Sequence, residues 1–202
     1  MQKVVEILME EHRLIERVLG SLESFRVGVE GGLRPERPLV ADYAAFFRGF
    51  ADAYHHGKEE DILFQRLIER GFSRDSGPVA VMLHEHRVGR AHVAALRQLG
   101  GGTGEIEDAE RLELLTHGSD FVALLRQHIL KEDRILYPMA LQVLTGPELD
   151  VMETEFEAFE KRLEGEGARD RLVGLADRLV ASFPPDPERL AMAAAGPACG
   201  SR

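Results

Sequence analysis

Cysteine is almost missing from this chain of 202 residues: the single thiol, Cys199, lies in the last four positions. One thiol cannot form an intrachain disulfide and cannot build a cysteine-based zinc or iron-sulfur site, so a reducing, cytoplasmic setting is expected. Positive charge is also in deficit, with 25 Lys and Arg against 35 Asp and Glu, a formal net charge of −10. Nucleic-acid and anionic-membrane binding rest on clustered cations, so both are disfavoured as partners. Long hydrophobic runs are lacking too. The opening residues, from Gln2 to Leu19, carry a charge every few positions, which fits neither a signal peptide nor the roughly 20 apolar residues of a membrane span. A soluble, unexported protein is expected. No stretch shows the period-two alternation of strands, which leaves an all-α fold.

Glycine and proline divide the chain into long helical segments. The first spans about Gln2 to Val29 and the second about Leu39 to Arg70. The third covers about Pro78 to Leu99, with Pro78 suited to a first helical turn. A fourth runs from about Glu107 to Leu144; Gly118 and Ser119 are candidate interruptions and Pro138 a candidate kink. Four amphipathic helices with short loops predict an up-down-up-down bundle over residues 1–145. Two shorter segments, about Glu148 to Leu163 and Ala168 to Phe183, predict a helical extension over 146–183, followed by a tail over 184–202.

The eight histidines decide what this bundle is for. On the first helix His12 shares a stripe with Val5, Leu8, Ile15, Leu19 and Leu22. On the second, a period of 3.6 residues aligns Ala53, His56, Glu60, Leu63 and Leu67. On the third, His86 joins Met82, Leu83, Val93 and Leu96; His84, about 200° away around the helix, is the alternative. On the fourth, the stripe is Phe121, Leu125, His128, Glu132, Ile135 and Met139. One buried His is ordinarily a satisfied core residue. Four of them with two buried Glu would cost several kcal/mol (about that order per unpaired ion) unless a cation compensated.

A short internal repeat supports the cation. The segment from His56 through Lys58, Glu60, Leu63 and Phe64 matches the one from His128 through Lys131, Glu132, Leu136 and Tyr137. Each half of a pseudo-two-fold site would supply a terminal imidazole and a carboxylate able to bridge two metals, with one more imidazole from the first and the third helix. Imidazole and carboxylate without thiolate suit iron or manganese. His12 lies as far before the first loop as His56 lies after it, so the two meet at one height. His86 and His128 do so only if the bundle part of the fourth helix begins near a Ser119 cap.

These motifs together, Met-Glu-Glu-His at His12, HHGKEEDILF around His56, HEHR around His86 and HILKEDRILYPMA around His128, resemble the hemerythrin-like proteins of the HHE cation-binding family. The resemblance implies a non-haem di-iron centre: two iron ions, oxo- or hydroxo-bridged, in a four-helix bundle. Their partner would be a small diatomic ligand, dioxygen or nitric oxide, or a peroxide. Carried over by position, His12, His56, His86 and His128 are terminal ligands and Glu60 and Glu132 the bridges. Two departures stand out. Met82 occupies the place, one turn before His86, where the oxygen carriers have a further His, and the carriers' fourth-helix carboxylate aligns with Asp133, although Glu132 mirrors Glu60. Reversible oxygen carriage is therefore not the expected activity. His55 is expected beside the ligands or at a helix interface, Glu16 at the surface or behind the ligands rather than as an extra ligand, and His92 and His117 in structural or exposed positions. Three functions compete: a sensor or binding protein, a peroxidase or catalase-like or iron-nitrosyl repair enzyme, and a bundle whose polar core is structural.

Overall fold

The computed structural model describes residues 3–163 and 168–188, and every regular element among them is helical. Helix α1 is Lys3–Glu30. Helix α2 runs continuously over 37–69. It is α-helical over Arg37–Phe46 and Phe64–Glu69, with π-helical stretches at Phe47–His56 and Glu59–Leu63. Helix α3 is Gly77–Gly101. Helix α4 covers 108–143 as Asp108–Lys131, a π-helical Glu132–Leu136 and Tyr137–Val143. The extension supplies α5, Gly146–Leu163, and α6, Ala168–Ser182. The tail beyond residue 188, with Cys199, lies outside the described residues. No helix among the described residues is long and apolar enough to cross a membrane.

Local chemistry sets these boundaries. α1 and α2 end in paired closures, Leu33 N–H to Gly28 O and Phe72 N–H to Leu67 O, with Gly32 and Gly71 at φ +103° and +95° where a side chain would be strained. α4 starts at a reciprocal cap between Glu107 and Glu110, and passes through Gly118 and Ser119 without a break, contrary to the expected cap at Ser119. Pro138 falls in the first turn after the π-helical stretch, where its missing N–H costs little.

Two apolar clusters fill the interior. One joins Ile15, Leu22 and Phe25 of α1 to Phe46 and Phe50 of α2, Leu96 of α3, Phe121 and Leu125 of α4, and Leu175 and Leu179 of α6. The other joins Val5 and Leu8 to Phe64 and Leu67, Val79 and Met82, Leu136 and Tyr137, and Met152 and Phe156 of α5. The extension thus packs into both clusters. Between them lies a belt of buried ionisable groups: Glu11, His12, His55, His56, Lys58, Glu59, His86, His128 and Glu132.

The π-helical turns correct two of the expected stripes. Each wide turn inserts a residue and advances the phase by about 100°. On α2 the stretch at Phe47–His56 precedes the site, so Ala53 faces solvent and Glu60 is displaced to the edge of the belt, its side chain 24% exposed. On α4 the stretch follows the site, so Phe121, Leu125, His128 and Glu132 share the inner face, but Ile135 is 52% exposed and Leu136 and Ala140 are buried instead.

Candidate metal centre

Two groups of ligand atoms sit in the belt. Those of His56, Glu59, His86 and His128 lie within 4.8 Å of one another, and so do those of His12, His55, Glu59 and Glu132. The two carboxylates join the groups. Glu59 Oε2 lies 3.5 Å from His86 Nε2 and 3.7 Å from His55 Nε2. Glu132 reaches His12 Nε2 at 3.3 Å with one oxygen and His128 Nε2 at 3.2 Å with the other. His86 Nε2 and His128 Nε2 are 3.1 Å apart, both aimed at the same space.

Of the six residues expected from sequence, the structure brings His12, His56, His86, His128 and Glu132 into this belt and leaves Glu60 out of it. Glu59 stands where Glu60 was expected, and His55 joins it. His84 is exposed on the opposite face of α3. Asp133 is outside the two groups and accepts a hydrogen bond from His12.

The far sides of the imidazoles show why four of them point as they do. His12 Nδ1 donates to Asp133 Oδ1 (2.7 Å), His55 Nδ1 to Glu11 Oε2 (2.9 Å), His86 Nδ1 to Glu60 Oε1 (2.6 Å) and His128 Nδ1 to Glu85 Oε2 (3.0 Å). Each carboxylate is itself held by a cation: Asp133 by Arg13, Glu11 by Lys58, Glu60 by Arg90 and Glu85 by Lys131. A carboxylate accepts only, so the proton sits on Nδ1 and a neutral ring turns its Nε2 lone pair inward. Carboxylates placed behind imidazoles in this way orient metal ligands and raise their basicity. Glu60 therefore belongs behind His86, one layer from where sequence spacing put it.

The extension supports this outer layer. Lys58, fully buried, also donates to Glu160 of α5 (2.8 Å) and lies 4.1 Å over the Tyr54 ring. Gly57 admits that helix: a Cβ there would fall 2.5 Å from the Phe159 ring.

Charge in the belt is balanced by protons. Burial pushes Glu59 well above the usual carboxylate range, and the adjacent Glu132 charge adds to it. Burial acts on Glu132 in the same sense, but His128 and His12 face it and hold it well below. Burial opposes protonation of His12 and His128. It is outweighed at His12 by Asp133 and Glu132, and at His128 by Glu132 and Glu85, which raise that ring to about 9. Burial and neighbouring imidazoles push His55 and His86 well below their ordinary value. One ring in each group is thus shifted toward protonation, His12 or His128, and the others, His55 in one group and His56 and His86 in the other, toward the neutral form.

The donor set fits a metal pair. His55 Nε2, His56 Nδ1, Glu59 Oε2 and both Glu132 oxygens are buried without a hydrogen-bond partner. Orphaned polar atoms at such density would be costly unless another group satisfied them. All of them are imidazole or carboxylate atoms, the set that suits iron or manganese.

A repeat in the sequence carries the same information. Aligned without a gap, HHGKEEDILF from His55 to Phe64 matches HILKEDRILY from His128 to Tyr137, placing His55 on His128, Glu59 on Glu132 and Glu60 on Asp133. The Glu-His-Arg triplets at Glu11 to Arg13 and Glu85 to Arg87 repeat in step with it.

Comparison with known proteins agrees with this geometry. The family described as Hemerythrin HHE cation binding domain matches residues 3–140. The iron-sulfur cluster repair protein YtfE of Yersinia pseudotuberculosis is 34% identical over 138 residues, 66% of this chain and 61% of that protein. Uncharacterized proteins of Mycobacterium tuberculosis and Mycobacterium bovis are each 23% identical over 168 residues, 83% of this chain and 65% of theirs. The chain thus spans less than two thirds of the length of these relatives. No solved structure matches significantly.

Proposed function

The chain belongs to the hemerythrin HHE cation-binding family, and from that premise we propose that its buried belt holds two iron ions that react with dioxygen, nitric oxide or peroxide. On this reading His12 and His55 would hold one ion and His86 and His128 the other with His56 beside them, while Glu59 and Glu132, which reach both groups, would be shared. A reduced iron pair supplies electrons and an open position for a small ligand. The protein's own residues bury the site and fix the tautomer of four imidazoles through Asp133, Glu11, Glu60 and Glu85. They also place the Tyr137 hydroxyl on Glu59 Oε1 at 2.8 Å.

The observation that carries this reading is the convergence of four carboxylate-backed imidazoles on two carboxylates whose buried oxygens lack partners. Met82 sits in the apolar cluster beside the site, so the further imidazole that oxygen carriers place on this helix is absent; His56, from α2, is the fifth ring here. The ring set therefore differs from that of the carriers, and the reading is one of turnover rather than reversible carriage. Elemental analysis after anaerobic reconstitution should give about two iron ions per chain. A content near zero would end the metal reading, and a reversible oxygenated species in stopped-flow oxidation would end the case against carriage.

A second reading, iron-nitrosyl or iron-sulfur repair, is favoured by the likeness to YtfE, named as an iron-sulfur cluster repair protein. Restoration of a nitric-oxide-damaged cluster protein by the iron-loaded chain, but not by the metal-free chain, is its test.

A further inference from the structure

A cavity of about 230 Å³ opens beside one of the two ligand groups. His56, His86 and His128 line it, and neither His12 nor His55 does. Its volume is several times the ~30 Å³ that a water occupies in the liquid, far more than a diatomic gas requires. The size is just below the range of pockets for drug-sized ligands.

Its walls have two chemistries. Phe47, Ala51, Val93, Phe121 and Leu125 make an apolar body. The charged lining residues mostly cancel one another: Arg90 donates to Asp52 and Glu60, each at 2.8 Å, and Glu85 is held by Lys131 and His128. Arg48 of α2 and Arg97 of α3 are different. Both line the cavity, both are exposed, and neither has an acidic partner among the described residues. On a chain of net charge −10, two uncompensated guanidinium groups beside one apolar cavity form a local reversal of sign that attracts anions.

We propose that this cavity binds a small organic monoanion with an apolar body, of about the size of benzoate, its carboxylate held by Arg48 and Arg97 and its body directed toward His56. This names a ligand class for the proposed centre and rests on that reading only for what the body meets at the inner end. Binding itself depends on the cavity and the two arginines alone.

The test is calorimetric titration of the full chain, metal-free and iron-loaded, with benzoate, and with benzyl alcohol and formate as comparators. Benzoate should bind at least tenfold more tightly than either, since only benzoate has both charge and body. The double variant Arg48→Ala/Arg97→Ala should weaken benzoate at least tenfold and leave benzyl alcohol unchanged. Ala94→Leu fills the cavity from α3 with a good helix former and should abolish benzoate binding; if it fails to fold, the arginine variants still decide. Equal affinity for benzoate and benzyl alcohol, formate binding as tightly as benzoate, or indifference to the double variant would each overturn the proposal. The two readings fail separately. Benzoate binding to a protein that takes up no iron would leave the cavity and remove the centre. A protein that loads iron but ignores benzoate would do the reverse.

Discussion

The two ends of the buried belt are built from matching parts, and two of their differences bear on what a ligand would meet. Each end has an imidazole from a Glu-His-Arg triplet and another from an internal repeat. An aromatic ring stacks on the triplet His: Tyr137 on His12 at 5.6 Å and Phe64 on His86 at 5.8 Å. Tyr137 carries a hydroxyl onto Glu59 where Phe64 has none, and His56 stands where the other repeat has Ile129. The end with the hydroxyl has no imidazole on the 230 Å³ cavity; the end with the extra ring has three. On the proposed reading the repeat supplies two matching candidate positions, and Tyr137 and His56 set them apart: one end carries a hydrogen-bonded hydroxyl, the other faces the cavity.

The largest expected effect comes from the groups the two ends share. Glu59→Ala and Glu132→Ala should each lose paired iron almost completely. Glu60→Ala should keep two ions and weaken their affinity about 10–100-fold, the usual cost of removing a carboxylate behind a ligand. Metal content after reconstitution checks this. Loss of both ions in Glu60→Ala with full retention in Glu59→Ala would return the bridge to its sequence-predicted place.

Acid and base should separate the metal-free from the loaded protein. In the metal-free chain His128 is raised from the ordinary imidazole value of about 6.5 to about 9. Its stabilising contribution is full below about pH 6.5 and is lost as the pH rises through about 9. Glu11, raised by burial to about 7, acts in the same sense from about pH 4.5 upward. The loaded chain should behave oppositely, since protons compete with metal for the same atoms. Between pH 6.5 and 9 the thermal midpoint should fall for the metal-free protein and hold or rise for the loaded one. Parallel slopes would show that metal does not displace the His128 proton.

The bundle was legible in the sequence because Gly and Pro mark its loops, and because Ile15, Leu19 and Leu22 on α1 obey a 3.6-residue period. The gathering of imidazole and carboxylate was legible too, since one inward His per helix with two inward Glu is costly to bury without a cation, although the spacing matched heights only for His12 and His56. His55 and Glu59 were missed because the period was extended through Phe47–His56, where the helix is wound more loosely. The same error appears after Glu132, where Ile135 turned out exposed. The ungapped repeat would have found both residues, as it needs no assumption about winding. The contribution of α5 through Glu160 to Lys58 had no signal in the sequence: a single Glu on an acidic helix is indistinguishable from its solvated neighbours.

His56 sharpens the comparison between the ends directly. If it serves only the cavity side, iron-loaded protein should show two unequal Mössbauer quadrupole doublets, and His56→Ala should bring them together while retaining most of the iron. Retained inequality in that variant would move the source of asymmetry to Tyr137.

The smallest effect concerns the closed end. Tyr137 is fully buried, and its hydroxyl donates to Glu59 while lying 3.4 Å from His12 Nε2. Burial raises its pKa well above the ordinary phenol value, so the group remains a donor. Tyr137→Phe removes one hydrogen bond to a carboxylate, about 1.5–3 kcal/mol where the acceptor is charged. In the metal-free chain, however, burial shifts Glu59 toward its neutral form, and the loss should be nearer about 1 kcal/mol, the value for neutral partners. Urea unfolding of both forms would measure the difference. A larger loss in the loaded protein than in the metal-free one would show that Glu59 is ionised only when a cation is present. An equal loss would mean that its charge does not depend on metal, and that the asymmetry between the two ends lies in the cavity and His56 alone.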